Sequence, residues 1–251
     1  MLPTNINEVI EHLDDIVIQS KNRQDRSGYF TALYKRVTIE IKNKIIEGYF
    51  DDNARMEKLD VVFANRYLDA WNKYQNGEGC TKSWELAFMA TKKWNPLVIQ
   101  HLFLGMNAHI SLDLGIAAAS ISTEETIKDI KSDFFKINEI LSSLIDEVQN
   151  ELARIWPLLK PLDWLAGRLD EKLSEFAMEI ARDAAWQVAL EYVVLDSDEQ
   201  RQDYLKKRDG NVFRFGQKLY QPGILLRIIA TLFRFIETGT IVSKINKLNG
   251  E

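Results

Sequence analysis

His101, His109 and Asp113 fall eight and four residues apart inside one apolar stretch, Asn95 to Ala119, which reads NPLVIQHLFLGMNAHISLDLGIAAA. On a helix, residues four apart lie one above the other. His109 and Asp113 could therefore meet the same ion, or Asp113 could orient the His109 ring. With 3.6 residues per turn each step of four drifts by about 40°. The three side chains thus share a broad face and not a straight line. Gly105, between the histidines, removes bulk and leaves room for a ligand, a water or another helix. Gln100, Asn107 and Ser111 form a second polar edge.

A helix that is apolar on all sides is buried. Ionisable groups buried there are costly unless they are paired or bind a metal. Three readings follow. The histidine and the carboxylate satisfy each other in the core. Or His101, His109 and Asp113 ligate a divalent metal, for which two histidines and an acid suit Zn or non-haem Fe. Or the pair does acid–base work without a metal.

Other segments could bring partners. In Arg55–Tyr74 an apolar stripe runs through Met56, Leu59, Phe63, Tyr67, Trp71 and Tyr74, with Asp60 beside it. Asp60 is a candidate further metal ligand, since that position can point inward. Asn65, Arg66 and Asp69 follow on the adjoining side, where Arg66–Asp69 and Asp69–Lys73 surface pairs compete with a functional role. Farther on, Arg182 and Asp183 precede Trp186 among Phe176, Ile180 and Val188. Asp183 is a candidate fourth ligand or the salt-bridge partner of an arginine. Arg66 and Arg182 are candidates for stabilising anionic charge on a substrate. Asn65, Tyr67, Asn107 and Trp186 are candidate substrate contacts, as aromatic side chains can line an apolar pocket.

Helical periodicity dominates the elements that must hold these groups, and no alternating strand pattern stands out. Helices are expected at Ile6–Gln19, capped by Thr4 or Asn5, at Tyr29–Glu47, at Arg55–Tyr74, capped by Asp51 or Asp52, and at Ser83–Lys93. Asn95-Pro96 should open the central helix, Pro96–Ala119. Ser122 with Glu125 has the capping-box spacing and should open a long helix through Leu152, broken near Pro157 and Pro161. A helix is expected over Leu169–Val194 and a short one over Glu199–Lys207. Asp209-Gly210-Asn211 should turn, and Pro222-Gly223 should precede the last helix. That helix, apolar with sparse basic residues, is expected to pack on the bundle rather than touch a membrane. The expected architecture is one all-α domain, residues 1–251, bundled around the central helix.

The chain has 251 residues, 46% hydrophobic and 27% charged, enough to bury a sizeable core. A net charge of −5 gives a nucleic-acid partner little electrostatic support. One cysteine, Cys80, allows no internal disulfide, which fits a reducing compartment. The acidic start MLPTNINEVIEHLDD has no basic segment followed by an apolar run, so a cytoplasmic protein without a secretory signal is expected. The Gly223–Ile245 segment carries Arg227, Arg234, Glu237 and Lys244, too many charges for a membrane span. Phosphate-binding glycine loops, G-x-S-x-G and H-E-x-x-H are absent from the sequence.

The segments FDDNARMEKLDVVFANRYLDAW, LGMNAHISLDLGIAAA and FAMEIARDAAW resemble a bacterial all-helical family catalogued as a domain of unknown function. The resemblance runs from about Tyr29 to Trp186 and rests on N-R-Y-L-D and N-A-H-I-x-x-D-L. It implies that Asp60, Asn65, Arg66, Asn107, His109, Asp113, Arg182 and Asp183 belong to one constellation, and it implies no reaction. GMNAHISLD is also similar to the helical G-x-x-x-H-x-x-x-D segment of zinc-dependent phospholipases C and related single-strand nucleases. The chain departs from them in having Ile116–Ala119 where they carry a proline and a histidine, and only three histidines in all. That similarity implies at most a one- or two-metal site.

The expected function is an enzyme with a buried His/Asp site, hydrolysing a small, partly apolar ester or phosphoester with metal assistance. One alternative is a non-catalytic protein that binds an apolar ligand or a partner. Another is isoprenoid-type chemistry in a helical bundle, although Asp14-Asp15 and Asp51-Asp52 do not extend to D-D-x-x-D.

Overall fold

The computed structural model describes residues 1–137, 139–141, 155 and 178–251. The fold is all-α, with no strand among the described residues. The helices are α1 (Ile6–Arg23), α2 (Gly28–Ile46), α3 (Asn53–Gln75), α4 (Lys82–Thr91), α5 (Val98–Ala108), α6 (Gly115–Ser120), α7 (Met178–Val193), α8 (Asp198–Tyr220), α9 (Ile224–Ile236) and α10 (Ile241–Asn249). Their starts follow local chemistry. Asn5 accepts from the Glu8 N–H, Asp52 from Arg55, Ser197 from Gln200 and Thr240 from Ser243.

Between α5 and α6 the chain does not leave the helix. Residues His109–Leu114 form a π-helical turn, so Val98–Ser120 is one continuous rod with a widened middle. In that turn each N–H reaches five residues back instead of four. By length and composition the rod could cross a membrane, but 78% of its most apolar window is buried inside the bundle. It packs against α2, α3, α4, α7 and α8.

Two glycines let neighbours approach the rod. A Cβ on Gly105 would stand 2.4 Å from the Phe30 ring, so the space it leaves is filled by α2. A Cβ on Gly115 would stand 2.3 Å from the Ala185 carbonyl oxygen and 2.7 Å from Val188. The rod is therefore gripped on either side of its π turn.

Several local expectations give way to tertiary contacts. The central helix starts at Val98, not Pro96, and its first N–H donates to Glu237 Oε1 at 2.9 Å. Asp209-Gly210-Asn211 is not a turn. It lies inside α8, because the Asp209 carboxylate serves another helix: it accepts from the Lys82 and Ser83 N–H groups (2.8 and 3.0 Å) and from the Ser83 hydroxyl (2.7 Å). Ser122 does not open a helix. The chain passes through a 3₁₀ turn, Ile127–Ile130, into helical residues 131–137. The later course of that helix, Pro157, Pro161 and the start of the Leu169–Val194 helix lie outside the described residues.

The last helix divides in two at Glu237–Thr240. The Glu237 side chain is buried there, bound to Arg234 and to Lys244 at 2.9 Å. The expectation that this segment packs on the bundle holds for Ala230 and Phe233 of α9, which pack against the core around Tyr29, Leu97 and Ile245, but no residue of α9 is fully buried and its other face is exposed.

Candidate functional site

Asp113 is nearly inaccessible and both of its oxygens are taken. Arg66 Nε donates to Oδ1 at 2.8 Å, and the Trp84 indole N–H donates to Oδ2 at 2.8 Å. Burial opposes its ionisation. The Arg66 charge and these donors outweigh that and hold the carboxyl below its usual range. Asp113 is thus an anchored carboxylate that ties α3 and α4 to the π turn.

His109 Nδ1 stands 3.6 Å from Asp113 Oδ2, too far for a hydrogen bond. Neither of its ring nitrogens has a hydrogen-bond partner. Aromatic rings surround it instead. Phe63 stacks parallel at 3.6 Å between centroids, and Tyr34 stands edge-on at 4.4 Å. Phe30, Trp84 and Tyr67 complete the ring at 5.8–6.1 Å. Desolvation lowers the imidazole pKa despite the nearby Asp113 charge, so His109 is neutral around pH 7.

Two further polar groups near Tyr34 lack partners. The Tyr34 hydroxyl and Asp60 Oδ2 are both buried and unpaired. Burial raises the Asp60 pKa to about 7, with Glu57 adding to the effect. Burial also raises Tyr34 far above its usual value, and the Asp60 charge adds to this. The Tyr34 ring thus touches His109, while the Asp60 charge acts on its hydroxyl.

The remaining candidates are scattered. His101 is buried against Tyr29, with ring centroids 5.7 Å apart, in a core cluster separate from the one around Phe30 and Tyr34. Burial drives its pKa down to about 3. Asp183 is exposed. Arg182 is buried, but its guanidinium lies over the Phe134 ring at 4.8 Å and donates to the Phe134 carbonyl. Desolvation lowers its pKa to about 9. Trp186 packs on Phe134 and Phe135 beside it.

Asn65 donates to the Pro3 carbonyl at 2.9 Å and so fastens the N-terminus. Asn107 donates to the Val212 carbonyl at 3.0 Å and so fastens α8. Tyr67 shares a 2.6 Å hydrogen bond with Thr31. Asp69 pairs with Lys73, while Arg66 turns to Asp113 rather than to Asp69.

Among the described residues no three His, Cys, Asp or Glu side chains gather in a way that would hold a metal ion. The candidate ligands do not converge on one: His101 sits in another cluster and Asp183 faces solvent. What the structure does gather is Arg66, Asp113 and Trp84 in one network, with His109, Tyr34 and Asp60 beside it. Tyr34, Phe63 and Trp84 carry no sequence signature of a site. The closest hint is the i, i+4 spacing of Phe30 and Tyr34 on α2 and of Phe63 and Tyr67 on α3.

No curated protein and no solved structure matches the chain. A family model described as a family of unknown function, DUF5995, matches residues 6–222. The chain belongs to that family.

Proposed function

We propose that this protein is an acid–base enzyme acting on a small, uncharged and largely apolar substrate, with His109 as proton acceptor and Asp60 as proton donor. The observation that supports this reading is a set of unpaired buried polar atoms on the elements around the π turn: both ring nitrogens of His109, the hydroxyl of Tyr34, whose ring touches His109, and Asp60 Oδ2, three residues before the Phe63 that stacks on His109. Buried polar groups are nearly always paired, so such a set is left for something that binds. The π turn that carries His109 and Asp113 agrees, since π-helical turns recur at functional sites.

The roles follow from the protonation states. A neutral imidazole can take a proton, and a carboxyl with a pKa of about 7 can give one near neutral pH. Arg66 is neutralised by Asp113, which argues against a phosphoester and for a neutral substrate such as a carboxylic ester. Asp113 acts by position, holding α3 and α4 against the π turn.

The test uses p-nitrophenyl acetate and butyrate as small neutral esters. Turnover should be highest near neutral pH, and His109→Gln and Asp60→Asn should each lower it by about 10²–10⁴-fold with the helical fold retained. Absence of turnover in the natural protein, or turnover in either variant equal to that of the natural protein, overturns the proposal. Metal content of the purified protein is measured alongside; stoichiometric Zn or Fe would assign water activation to a metal instead. The ring of five aromatic side chains around His109 favours a second reading, a non-catalytic apolar-ligand protein, which predicts ester binding by NMR without turnover.

A further inference from the structure

Helix α9 exposes what an amphipathic helix normally hides. Ile224, Ile228, Leu232 and Phe235 recur at helical spacing and are 80%, 55%, 60% and 72% exposed. Leu225, at 72%, widens the same face. Contiguous apolar patches on a soluble surface mark interaction sites. We propose that this face is a membrane-docking surface that lies in the interface of an anionic lipid bilayer.

Three observations favour lipid over protein. The first is charge. Segments 92–97 and 221–240 expose Lys93 and Arg227, with Lys92 exposed but paired to Asp25 at 2.6 Å, and the side chain of their single acid, Glu237, is buried between Arg234 and Lys244. A chain of net charge −5 thus keeps this patch free of exposed acids, which complements anionic headgroups. Arg227 flanks the apolar stripe, where a long side chain can reach the headgroups while its stem lies on the apolar surface.

The second is the aromatic pair at the far end of the helix. Trp94 is half-exposed and packs on Phe235, with ring centroids 5.4 Å apart. The Arg234 guanidinium lies 5.0 Å from the Trp94 ring and donates to the Trp94 carbonyl at 2.7 Å. Tryptophan beside a cation suits the boundary between headgroups and acyl chains. The third is orientation. Pro222-Gly223 bends the chain by 62° between α8 and α9, which turns the apolar stripe away from the bundle.

The full-length protein is tested by co-sedimentation with vesicles of phosphatidylcholine alone and of phosphatidylcholine with phosphatidylglycerol. Binding should need phosphatidylglycerol and weaken with salt. Leu232→Asp with Phe235→Asp should weaken it by about tenfold or more. Arg227→Glu should weaken it less. Because these side chains are exposed, circular dichroism should be unchanged in each variant. Failure to bind either vesicle, or binding untouched by the Leu232/Phe235 change, overturns the proposal. A dimer in sedimentation velocity that Leu232→Asp dissociates also overturns it and assigns the face to a second copy.

Discussion

Trp84 donates its indole N–H to the Oδ2 atom of Asp113, the same oxygen that stands 3.6 Å from the His109 ring. A tryptophan from α4 is thereby the donor to this oxygen, while the His109 ring stays beyond hydrogen-bond distance of it. The histidine is left neutral, unpaired and stacked on Phe63.

Removing one donor from Asp113 should therefore unsettle the core in graded steps. Trp84→Phe leaves one carboxylate oxygen short of a partner and should cost about 1–3 kcal/mol. Arg66→Met leaves the Asp113 charge buried without its counter-ion and should cost more, about 3 kcal/mol, the low end for a buried pair because Arg66 is itself a quarter exposed. Urea denaturation at neutral pH gives the order. The folded-state pKa of Asp113 is depressed, so its contribution is present above its unfolded value of about 3.9 and is lost as pH falls through the folded value below that. Arg66→Met should accordingly be most destabilised, relative to the natural protein, at neutral pH and least at acid pH.

The buried histidines and Asp60 should tilt stability in opposite directions. His101 has a folded pKa of about 3 against about 6.5 unfolded, so below pH 6.5 the unfolded chain takes up a proton that the folded chain refuses. Stability then falls, by about 1.4 kcal/mol per pH unit, as pH drops from about 6.5 towards 3. His109 acts in the same sense. Asp60 is raised to about 7 from about 3.9 unfolded, so its contribution is full below pH 3.9 and is lost as pH rises to about 7. His101→Leu should flatten the acid limb and Asp60→Asn the limb between pH 4 and 7, as read from melting temperatures across that range.

Alanine at the two glycines of the central rod should separate a yielding neighbour from an unyielding one. Gly105→Ala presses on the Phe30 side chain, and Gly115→Ala presses on the Ala185 backbone oxygen. Overpacking typically costs about 1–3 kcal/mol. Gly115→Ala should exceed Gly105→Ala, and adding Phe30→Leu should recover stability only for Gly105→Ala. Denaturation midpoints of the four proteins check this.

The all-α class and the buried central helix were readable because both rest on the spacing of apolar residues, which the sequence states directly. Asp60 could be placed beside an inward stripe for the same reason. What the spacing does not encode is which polar group meets which across elements. Nothing local distinguishes Trp84 from Trp71 as the donor to Asp113. Nothing local marks Tyr34, which reaches His109 from another helix. The π turn is equally silent, since His109–Leu114 has the composition of an ordinary helical turn. Asp209 read as a turn residue because its side chain competes for nearby N–H groups, and the winning N–H groups lie on α4. Arg182 and His101 looked like members of the site because they share its apolar setting, but each belongs to a different part of the core.

The Asp209 cap has a bearing on how the chain is made. Helix α4 carries Trp84, and the N–H groups at its start find their acceptor only at residue 209. A nascent chain that has delivered α2, α3 and the central rod to the ribosome exit therefore holds every side chain of the His109 cluster, yet lacks the carboxylate that closes the α4 N-terminus. That contact spans 126 and 127 residues and must wait for synthesis of α8. The centre of this bundle is written early in the message and locked late.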